Sequence, residues 1–341
     1  MRTIESAKRT TKKLVSSAMC TLLLILLTAA GAAAQTVLAK IPIPSSSATG
    51  QATVSRVLNR VYVSAGFSSG GTLTVIDGRT FTVLTTISNL NGVSVDLKND
   101  NFWTGNLTGG QVLTFSGSTN TQISANTVGF CPGETAFDCP GRRIWAGAQC
   151  GGGNDPLFVF DANTFALIAG PIGTGGVMGP IVVNPINGKL YVTASGVSQE
   201  VDPTTFAVTP TGFGTVLAAD AHKAKVYATS GNNLQLISAG NDTIIKTIPL
   251  GYTPGSQIAV NTAQLHIYLL NPAANKIEVR GVEQGGLVGT LSLGAGNTPQ
   301  GIAADSVRGL IYVVVNTSGS YSVWVIEDLV STRQCGSLGG G

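Results

Sequence analysis

The sequence predicts an almost entirely β-structured protein that is built from seven similar units. Three observations predict it. A short strand, a tight turn and a second strand recur along the chain, the 341 residues include 44 glycines, and only 11% of the residues are charged. Many short strands joined by tight turns suit this composition, because glycine adopts the positive φ angles that tight turns require. We therefore expect a soluble, almost all-β body.

The first 34 residues are predicted to be a secretory signal peptide. Five Lys or Arg residues and one Glu precede or flank the apolar run MCTLLLILLTAA (19–30), and Ala32 and Ala34 form an A-x-A cleavage pattern. Cleavage after Ala34 would leave residues 35–341 as a single domain, without membrane insertion. A retained anchor is the alternative, because residues 14–34 form a charge-free run of 21 residues, near the length that spans a bilayer. Both alternatives place the domain outside the cytoplasm, in the periplasm, at the cell surface or in the medium.

The mature chain is predicted to be close to neutral. The whole sequence has 20 Lys+Arg and 17 Asp+Glu, of which the predicted signal holds five and one. The sequence pI of 8.6 therefore reports mainly the signal. Because binding to nucleic acid needs a basic surface, we expect no nucleic-acid partner.

The seven units share a polar residue, which is followed seven positions later by an aromatic residue. The polar column consists of Ser55, Asp96, Asp138, Asn184, Asp220, Asn261 and Asp305. The aromatic column consists of Tyr62, Trp103, Trp145, Tyr191, Tyr227, Tyr268 and Tyr312. A short polar side chain at the end of a strand can hydrogen-bond the backbone of a turn. The aromatic residue gives the second strand a large side chain to bury.

A third and a fourth strand complete each unit. TLTVID (72–77) illustrates the third strand, and TVLTTI (82–87) and TIIKTI (243–248) illustrate the fourth. Four strands in about 44 residues predict a propeller blade, because one such sheet cannot cover both of its faces and must pack against others. The sequence thus predicts a seven-bladed β-propeller of four-stranded antiparallel blades. VLAKIPI (37–43) resembles IIKTIPL (244–250), so the N-terminal strand is predicted to close the last blade.

The repeats resemble those of the YVTN-repeat, YncE-like exported propellers. The signature region reads YVSA (62–65) and YVTA (191–194), and IPLGYTPGSQIAV (248–260) connects two blades. Trp103 and Trp145 replace the Tyr in the second and third blades, which depart from the pattern. The resemblance implies export and a propeller scaffold. It implies no reaction, because propellers support ligand binding, protein docking and catalysis alike.

The ionisable residues form no catalytic or metal-binding pattern in the sequence. His266 occupies a position that holds Arg or Lys in four other blades, so we expect it to face solvent, and His222 lies in a turn. Asp77, Asp161 and Asp202 each precede a Thr by three residues, which is typical of turn capping. We predict a non-catalytic binding or scaffold protein with no metal site, and the sequence identifies no cofactor. The alternative is a lactonase-like or quinoprotein-dehydrogenase-like enzyme, whose site would be dispersed over several blades.

Four cysteines remain after signal removal and are candidates for disulfides in an exported protein. Three full pairings are possible. Cys131 lies at the start of the first strand of the third blade and Cys150 lies in the loop between its second and third strands, so both belong to the same face. Cys139 lies in the turn at the opposite face. We predict a Cys131–Cys150 bridge, and the pairing of Cys139 and Cys335 stays open.

One face of the ring is predicted to bind a ligand. This loop face consists of the loops between second and third strands and the segments that lead into each blade. Its loops vary most among the blades, as in 105–110 and 147–156, and variable loops on a rigid scaffold often carry function. Plain solvated loops are the alternative, and the partner is an unknown small molecule or protein. The predicted binding residues are Phe67, Asn106, Gln149, Asn154, Asp155, Met178, Tyr252 and Tyr321.

Overall fold

Seven four-stranded antiparallel sheets are present in a computed structural model that describes residues 36–44, 50–65, 71–96, 98–150, 153–176 and 178–328. The predicted seven-bladed propeller is confirmed. Within these ranges no helix is long and apolar enough to cross a membrane. The predicted signal (1–34), Phe67 and Cys335 lie outside the described residues.

In every blade the innermost strand is the first strand of the repeat. The strand numbering begins with β1, which belongs to the last blade and closes the ring. The innermost strands are β2 (Gly50–Ser55), β6 (Asn91–Asp96), β10 (Pro132–Asp138), β14 (Met178–Val183), β18 (Thr215–Asp220), β22 (Ile258–Asn261) and β26 (Asn297–Asp305). The second strands are β3 (Arg60–Ala65), β7 (Asn101–Asn106), β11 (Arg143–Ala148), β15 (Leu190–Ala194), β19 (Lys225–Ser230), β23 (His266–Asn271) and β27 (Leu310–Thr317).

The third and outer strands complete the blades. The third strands are β4 (Thr72–Asp77), β8 (Gln111–Ser116), β12 (Pro156–Asp161), β16 (Val197–Val201), β20 (Asn233–Ser238), β24 (Lys276–Gly281) and β28 (Ser320–Glu327). The outer strands are β5 (Thr82–Ser88), β9 (Gln122–Thr127), β13 (Leu167–Gly173), β17 (Val208–Pro210), β21 (Thr243–Pro249), β25 (Leu287–Ser292) and β1 (Val37–Ile43). A 3-10 helix, Pro272–Ala274, lies between β23 and β24.

The N-terminal strand closes the ring, as the sequence predicts. β1 pairs with β28 in antiparallel register, with Lys40 opposite Trp324 and Ile43 opposite Tyr321. Lys40 Nζ lies 3.6 Å from the centroid of the Trp324 ring, in cation–π geometry. Because β1 supplies the outer strand of the last blade, the two ends of the described chain are held in one sheet.

The aromatic column is buried between neighbouring blades. All seven of its side chains are at most 1% exposed. Tyr191 illustrates the contact, since its ring lies 6.1 Å from that of Phe213 in the next blade and its hydroxyl donates to Asp242 there. Burying each large ring stabilises the fold by roughly 2 kcal/mol, so the column forms the main seam between blades.

The polar column caps the turns that follow the innermost strands. Asp220 Oδ1 accepts hydrogen bonds from the backbone N–H groups of His222 and Lys223, at 2.8 and 3.3 Å. Asp77 caps the turn between the third and the outer strand of its blade in the same way. Its Oδ1 accepts hydrogen bonds from the N–H groups of Arg79 and Thr80, at 2.7 and 2.9 Å. These backbone hydrogen bonds lower the pKa of Asp77. The turn-capping interpretation of these acids is confirmed.

His266 does not face solvent, so that expectation was wrong. The side chain is buried, and its Nδ1 lies 3.1 Å from Oδ1 of Asp328 at the end of the third strand of the next blade. Lys189 occupies the equivalent position two blades earlier, and its Nζ reaches Oδ2 of Asp242 in the next blade at 2.9 Å. In both blades the side chain at this position reaches a carboxylate of the following blade.

Candidate functional site

The seven innermost strands surround a central channel with two lobes. One lobe of about 430 Å³ is lined by β2, β18, β22 and β26, and the other of about 340 Å³ is lined by β2, β6, β10, β14 and β18. Both lobes share Thr53, Ala218 and Ala219. Cavities of this size fall in the range of small-molecule sites.

The channel walls are formed by the three residues that precede the polar column, and polar backbone groups line them together with apolar side chains. Alanine, valine and isoleucine dominate the walls, with the hydroxyl groups of Thr53, Ser94 and Thr135 in the smaller lobe. Among the described residues that line either lobe, Arg56 is the one charged side chain. Arg56 follows the polar column and so lies at the turn face, which consists of the turns between innermost and second strands.

A polar layer lies at the other end of the channel, four residues before the polar column. This layer consists of Gln51, Glu134 and Gln257 in the first, third and sixth blades. Gln51 Nε2 donates a hydrogen bond to Glu134 Oε1. Gln257 Oε1 accepts from the backbone N–H groups of Ile302 and Ala52, at 2.9 and 3.4 Å. The layer therefore spans the loop end of the channel above both lobes.

Two of the three side chains of the polar layer, Gln51 and Gln257, pass over a blade that has glycine four residues before its polar-column residue. Gln51 reaches Glu134 across the second blade, where the equivalent residue is Gly92. Gln257 reaches Ala52 across the seventh blade, where the equivalent residue is Gly301. Gly92 has φ +60°, and a Cβ there would lie 2.1 Å from the carbonyl oxygen of Gly133. Glycine thus lets the second and third blades approach closely beneath the contact.

Glu134 is the chemically unusual member of the layer. The residue is 5% exposed, and burial raises the pKa of its carboxyl to about 7, against the lowering effect of hydrogen bonds from Gln51 and Gln149. The carboxyl is therefore partly protonated near neutral pH. A protonated carboxyl donates one hydrogen bond, whereas a carboxylate only accepts, so Glu134 can serve either kind of ligand group.

Asn91 extends the layer into the second blade. Asn91 pairs with Gly105, in the register in which Gln51 pairs with Ser64. The side chain is 1% exposed, and its Oδ1 and Nδ2 have no hydrogen-bond partner among the described residues. Buried amides normally find such partners, which makes Asn91 a candidate to bind a polar group.

The predicted Cys131–Cys150 bridge is confirmed. Its Cα atoms are 5.1 Å apart, and the two residues are 19 positions apart in sequence. The bridge fixes Gln149, whose backbone N–H donates to the Cys131 carbonyl at 2.7 Å and whose side chain hydrogen-bonds Glu134. Among the described cysteines, Cys139 is exposed and free. The disulfide thus supports one side of the polar layer.

The third blade brings three of the predicted binding residues near this site. Gln149 contacts Glu134 directly. Asp155 is 2% exposed, and its Oδ1 accepts from the Cys150 N–H at 3.2 Å, so it orders the loop that carries the disulfide. Asn154 is exposed on the same loop. Their binding roles stay predictions.

The other predicted residues lie in separate blades. Asn106 caps its own turn, because Oδ1 accepts from Gly109 N–H at 2.9 Å. Met178 begins β14, opposite Ala194. Tyr252 is half-buried, and burial, followed by the nearby Glu278 carboxylate, raises its pKa. Tyr321 is 7% exposed, and its hydroxyl accepts from Asn316 Nδ2 at 3.2 Å. The described residues of this group do not form one cluster.

Sequence reasoning missed Gln51, Asn91, Glu134 and Gln257. Their contacts join residues far apart in the chain, 83 positions in the case of Gln51 and Glu134. The available signal was the position four residues before the polar column, where Gln or Glu in three blades alternates with Gly in two others. A position that mixes long polar residues with glycine in a repeat protein indicates side chains that reach across neighbouring repeats.

Comparison with known proteins supports the fold. No family model matches the sequence, and no curated protein matches it. Among solved structures, the chain is similar to the β-propeller domain of Myceliophteria thermophila Cps50 (Swd1), with 11% identity, a TM-score of 0.66, and coverage of 85% of this chain and 99% of that chain. At this identity the similarity shows the fold alone. The class that fold and comparison define is the seven-bladed β-propeller, and no family within that class is shown.

Proposed function

We propose that the protein is an exported, non-catalytic binding propeller, similar to the YVTN-repeat proteins, that takes a polar ligand at the loop end of its channel. The observation that carries this proposal is the buried Glu134 carboxyl, which Gln51 and Gln149 hydrogen-bond at the loop end of the innermost strands. Rigid blades on all sides position these groups, and preorganised polar groups reduce the cost of ordering a site upon binding.

Export is supported by two independent features. The N-terminal sequence has the charged, apolar and small-residue order of a secretory signal. The Cys131–Cys150 disulfide is compatible with an oxidising compartment, where such bonds persist. If the chain is exported and cleaved, N-terminal sequencing of the exported protein will begin at Gln35. A product that keeps residues 1–34 would instead support the anchor.

The ligand expected at the loop end is small and uncharged, with hydroxyl or amide groups. Gln51, Gln149 and Asn91 offer neutral carboxamides, and Glu134 is buried and partly neutral. Charged ligands would have to be desolvated against mainly neutral groups, and burying a charge without an ionic partner is expensive. Hydroxyl and amide groups can donate and accept in such a site at much lower cost.

The alternative is a lactonase-like or quinoprotein-dehydrogenase-like propeller enzyme, and the raised pKa of Glu134 is the observation that favours it. Catalytic acids and bases work best when their pKa lies near the operating pH. The side chains that hydrogen-bond Glu134 are the carboxamides of Gln51 and Gln149. Carboxamides neither exchange protons at neutral pH nor act as nucleophiles. The arrangement around Glu134 therefore supports binding better than catalysis.

A thermal-shift screen tests the proposal, because a ligand that binds the native state alone raises the melting temperature. The probes are panels of uncharged sugars and amides, organic cations and organic anions. We expect uncharged probes to raise the melting temperature of the protein but not that of the Glu134→Leu variant. Glu327→Gln, which changes an exposed acid at the end of β28, is the matched control and should respond like the unaltered protein.

Two outcomes would contradict the proposal. The first is an equal shift in the Glu134→Leu variant, which would place the ligand elsewhere. The second is consumption of a bound probe in a reaction that Glu134→Gln abolishes, which would make the protein an enzyme. Mass analysis of the incubated probes distinguishes the second outcome from simple binding.

A further inference from the structure

We propose that the loop face carries a second site, over blades five to seven, that binds an uncharged, hydroxyl-rich polymer, namely a neutral polysaccharide. The polymer would lie across Asn232, Tyr252 and Asn275. This inference goes beyond the proposed function, because its ligand is a chain of many sugar units and its residues belong to other blades than Glu134.

The loop face is almost free of charge. Its fourteen connections, which lead from second to third strands and from each blade to the next, contain one charged residue, Asp155, and that side chain is buried. The turns on the opposite side of the ring contain eleven charged residues, seven between innermost and second strands and four between third and outer strands. The charges of the connections are thus segregated to the side that faces away from the loops.

The strand ends beside the loop-face connections add one partly exposed charge. Glu134 and Glu278 are buried, whereas Lys276 is half-buried and its Nζ lies 3.7 Å from Glu278 Oε1. Anionic and cationic polymers are bound by surfaces that carry charge of the opposite sign, so the loop face does not suit them. An uncharged polymer binds through hydrogen bonds between neutral groups and needs no such charge.

The exposed apolar side chains of the described residues also lie mostly away from the loop face. Its connections hold one of them, Phe130, and Val197 begins a strand beside another connection. Protein interfaces usually have an apolar core with aromatic and Arg anchors, which this face lacks among its described residues. A chain of sugar units presents hydroxyl groups and small C–H faces, and these match a polar surface with isolated aromatic rings.

Two asparagines at neighbouring blade seams hold their carboxamides in a fixed orientation. Asn232 Oδ1 accepts a hydrogen bond from Thr253 Oγ1 at 2.8 Å, in the segment that enters blade six. Asn275 Oδ1 accepts from Thr298 Oγ1 at 3.3 Å, in the first strand of blade seven. Asn232 is exposed and Asn275 is half-buried, and neither Nδ2 has an acceptor among the described residues. Because a carboxamide nitrogen donates two hydrogen bonds, both side chains offer oriented donors to hydroxyl groups.

Tyr252 connects the surroundings of the two asparagines. It precedes Thr253, the partner of Asn232, and its hydroxyl lies beside the carboxylate of Glu278, three residues after Asn275 in the same blade. The side chain is half-buried, so the ring is held in place while part of it stays exposed. A ring of this kind offers a flat apolar surface to the C–H face of a sugar, and its rigidity keeps the entropy cost of binding low.

Affinity electrophoresis in native gels that contain a dissolved polysaccharide tests the site. The neutral probes are hydroxyethyl cellulose, glucomannan, pullulan and dextran, and the charged probes are polygalacturonate and glycol chitosan. We expect at least one neutral polysaccharide to retard the protein relative to a reference protein that binds none of them. We expect no retardation by the charged probes, because the loop face offers them no opposite charge.

Variants locate the polymer. Tyr252→Ala should weaken binding about tenfold, whereas Tyr252→Phe keeps the ring and should retain most of it. Asn232→Ala and Asn275→Gly should each weaken binding severalfold, and glycine suits the φ of +51° at position 275. The matched controls are Phe130→Ala, an exposed ring in another part of the loop face, and Asn99→Ala, an exposed asparagine of the turn face.

Absence of retardation by every neutral polysaccharide would overturn the proposal and would assign the uncharged face to a protein partner. Equal retardation by polygalacturonate, or unchanged affinity in a folded Tyr252→Ala protein, would overturn it as well. If Tyr252→Ala does not fold, Asn232→Ala decides. Glu134→Leu should bind the polysaccharide normally, and Tyr252→Ala should keep the melting-temperature response to small uncharged probes. Failure of the loop-end proposal and failure of this one are therefore distinguishable.

Discussion

The loop end and the turn face of the channel are made by the same seven strands but differ in regularity and chemistry. At the loop end, five innermost strands contain a shift in pairing register, in blades two, three, four, five and seven. At the turn face, the polar column caps each turn at a constant spacing from the aromatic column. β-Bulges re-aim side chains and often accompany functional sites, so the irregular end is where individual side chains depart from the repeat.

This difference shows that the repeat fixes where each residue lies in its blade, whereas the residue type at that place decides the chemistry of each end of the channel. Four residues before the polar column, three blades have a long polar side chain and two have glycine. That mixture closes the loop end with a polar layer containing one buried acid. One residue after the polar column, Arg56 places a cation beside the larger lobe. The two ends are therefore expected to respond differently to the same perturbations.

We expect the largest effect from removing the closing strand, because this strand supports both ends of the channel. Deleting residues 37–43 takes away β1, in which Ile41 and Ile43 are buried against the last blade. The last blade would lose a ladder of hydrogen bonds and part of its apolar packing, so we expect the free energy of unfolding to fall by several kcal/mol. Denaturant unfolding measures the change. The control is Leu38→Ser, an exposed position in the same strand, which should have little effect.

The second prediction affects the loop end alone. Replacing Cys131 and Cys150 by Ser removes a cross-link with a sequence separation of 19 residues, for which chain-entropy models give roughly 3 kcal/mol. Hydrogen exchange should increase in the loops of the third blade and stay unchanged in the turns at Arg56. Cys139→Ser is the control. Equal exchange increases at both faces would show that the two ends are not independent.

The third prediction uses pH to isolate Glu134. In the unfolded chain its carboxyl ionises near the ordinary pKa of 4.5, whereas the folded protein retains the proton to about 7. Between these values the folded state binds more protons, so the contribution of Glu134 to stability decreases as pH rises. The full loss, reached above pH 7, is roughly 3 kcal/mol because each pKa unit corresponds to about 1.4 kcal/mol.

Glu134→Gln has no proton to lose at this position, which makes it the reference for that experiment. Subtracting its free energy of unfolding from that of the unaltered protein, measured from pH 4 to pH 8, should give a difference that changes steadily through this window. A constant difference would mean that the carboxyl has the same pKa in the folded and the unfolded protein, and Glu134 would then be a carboxylate near neutral pH.

The fold was predictable from one sequence because its signals are local and repeated. The constant spacing between Asn184 and Tyr191, and between its equivalents, identifies two strands and a turn in every blade. The closing strand was predicted from the resemblance of residues 37–43 to residues 244–250, and the disulfide was predicted from the placement of both cysteines at one face of the third blade. Contacts between blades were not predictable in this way. His266 was placed in solvent because Arg and Lys occupy the equivalent positions, whereas its partner, Asp328, comes from the next blade.

The polar layer escaped prediction for the same physical reason. The sequence places Gln51 and Glu134 at equivalent positions of two blades, but a position in a strand does not say how far a flexible side chain reaches. Their contact depends on the ring bringing the first and third blades together and on Gly92 leaving space between them. Only the assembled ring contains that information.

The smallest expected effect comes from Gln257, whose side chain joins three blades at the loop end. Gln257→Leu leaves the N–H groups of Ile302 and Ala52 without the acceptor they share. An unsatisfied backbone N–H costs about 1–3 kcal/mol when buried, but the longer contact of 3.4 Å to Ala52 is weak, so we expect a loss near the lower limit, about 1 kcal/mol. Gln284→Leu, an exposed glutamine in an outer turn, is the matched control for denaturant unfolding. An unchanged free energy of unfolding would mean that these two hydrogen bonds do not help to hold the three blades together.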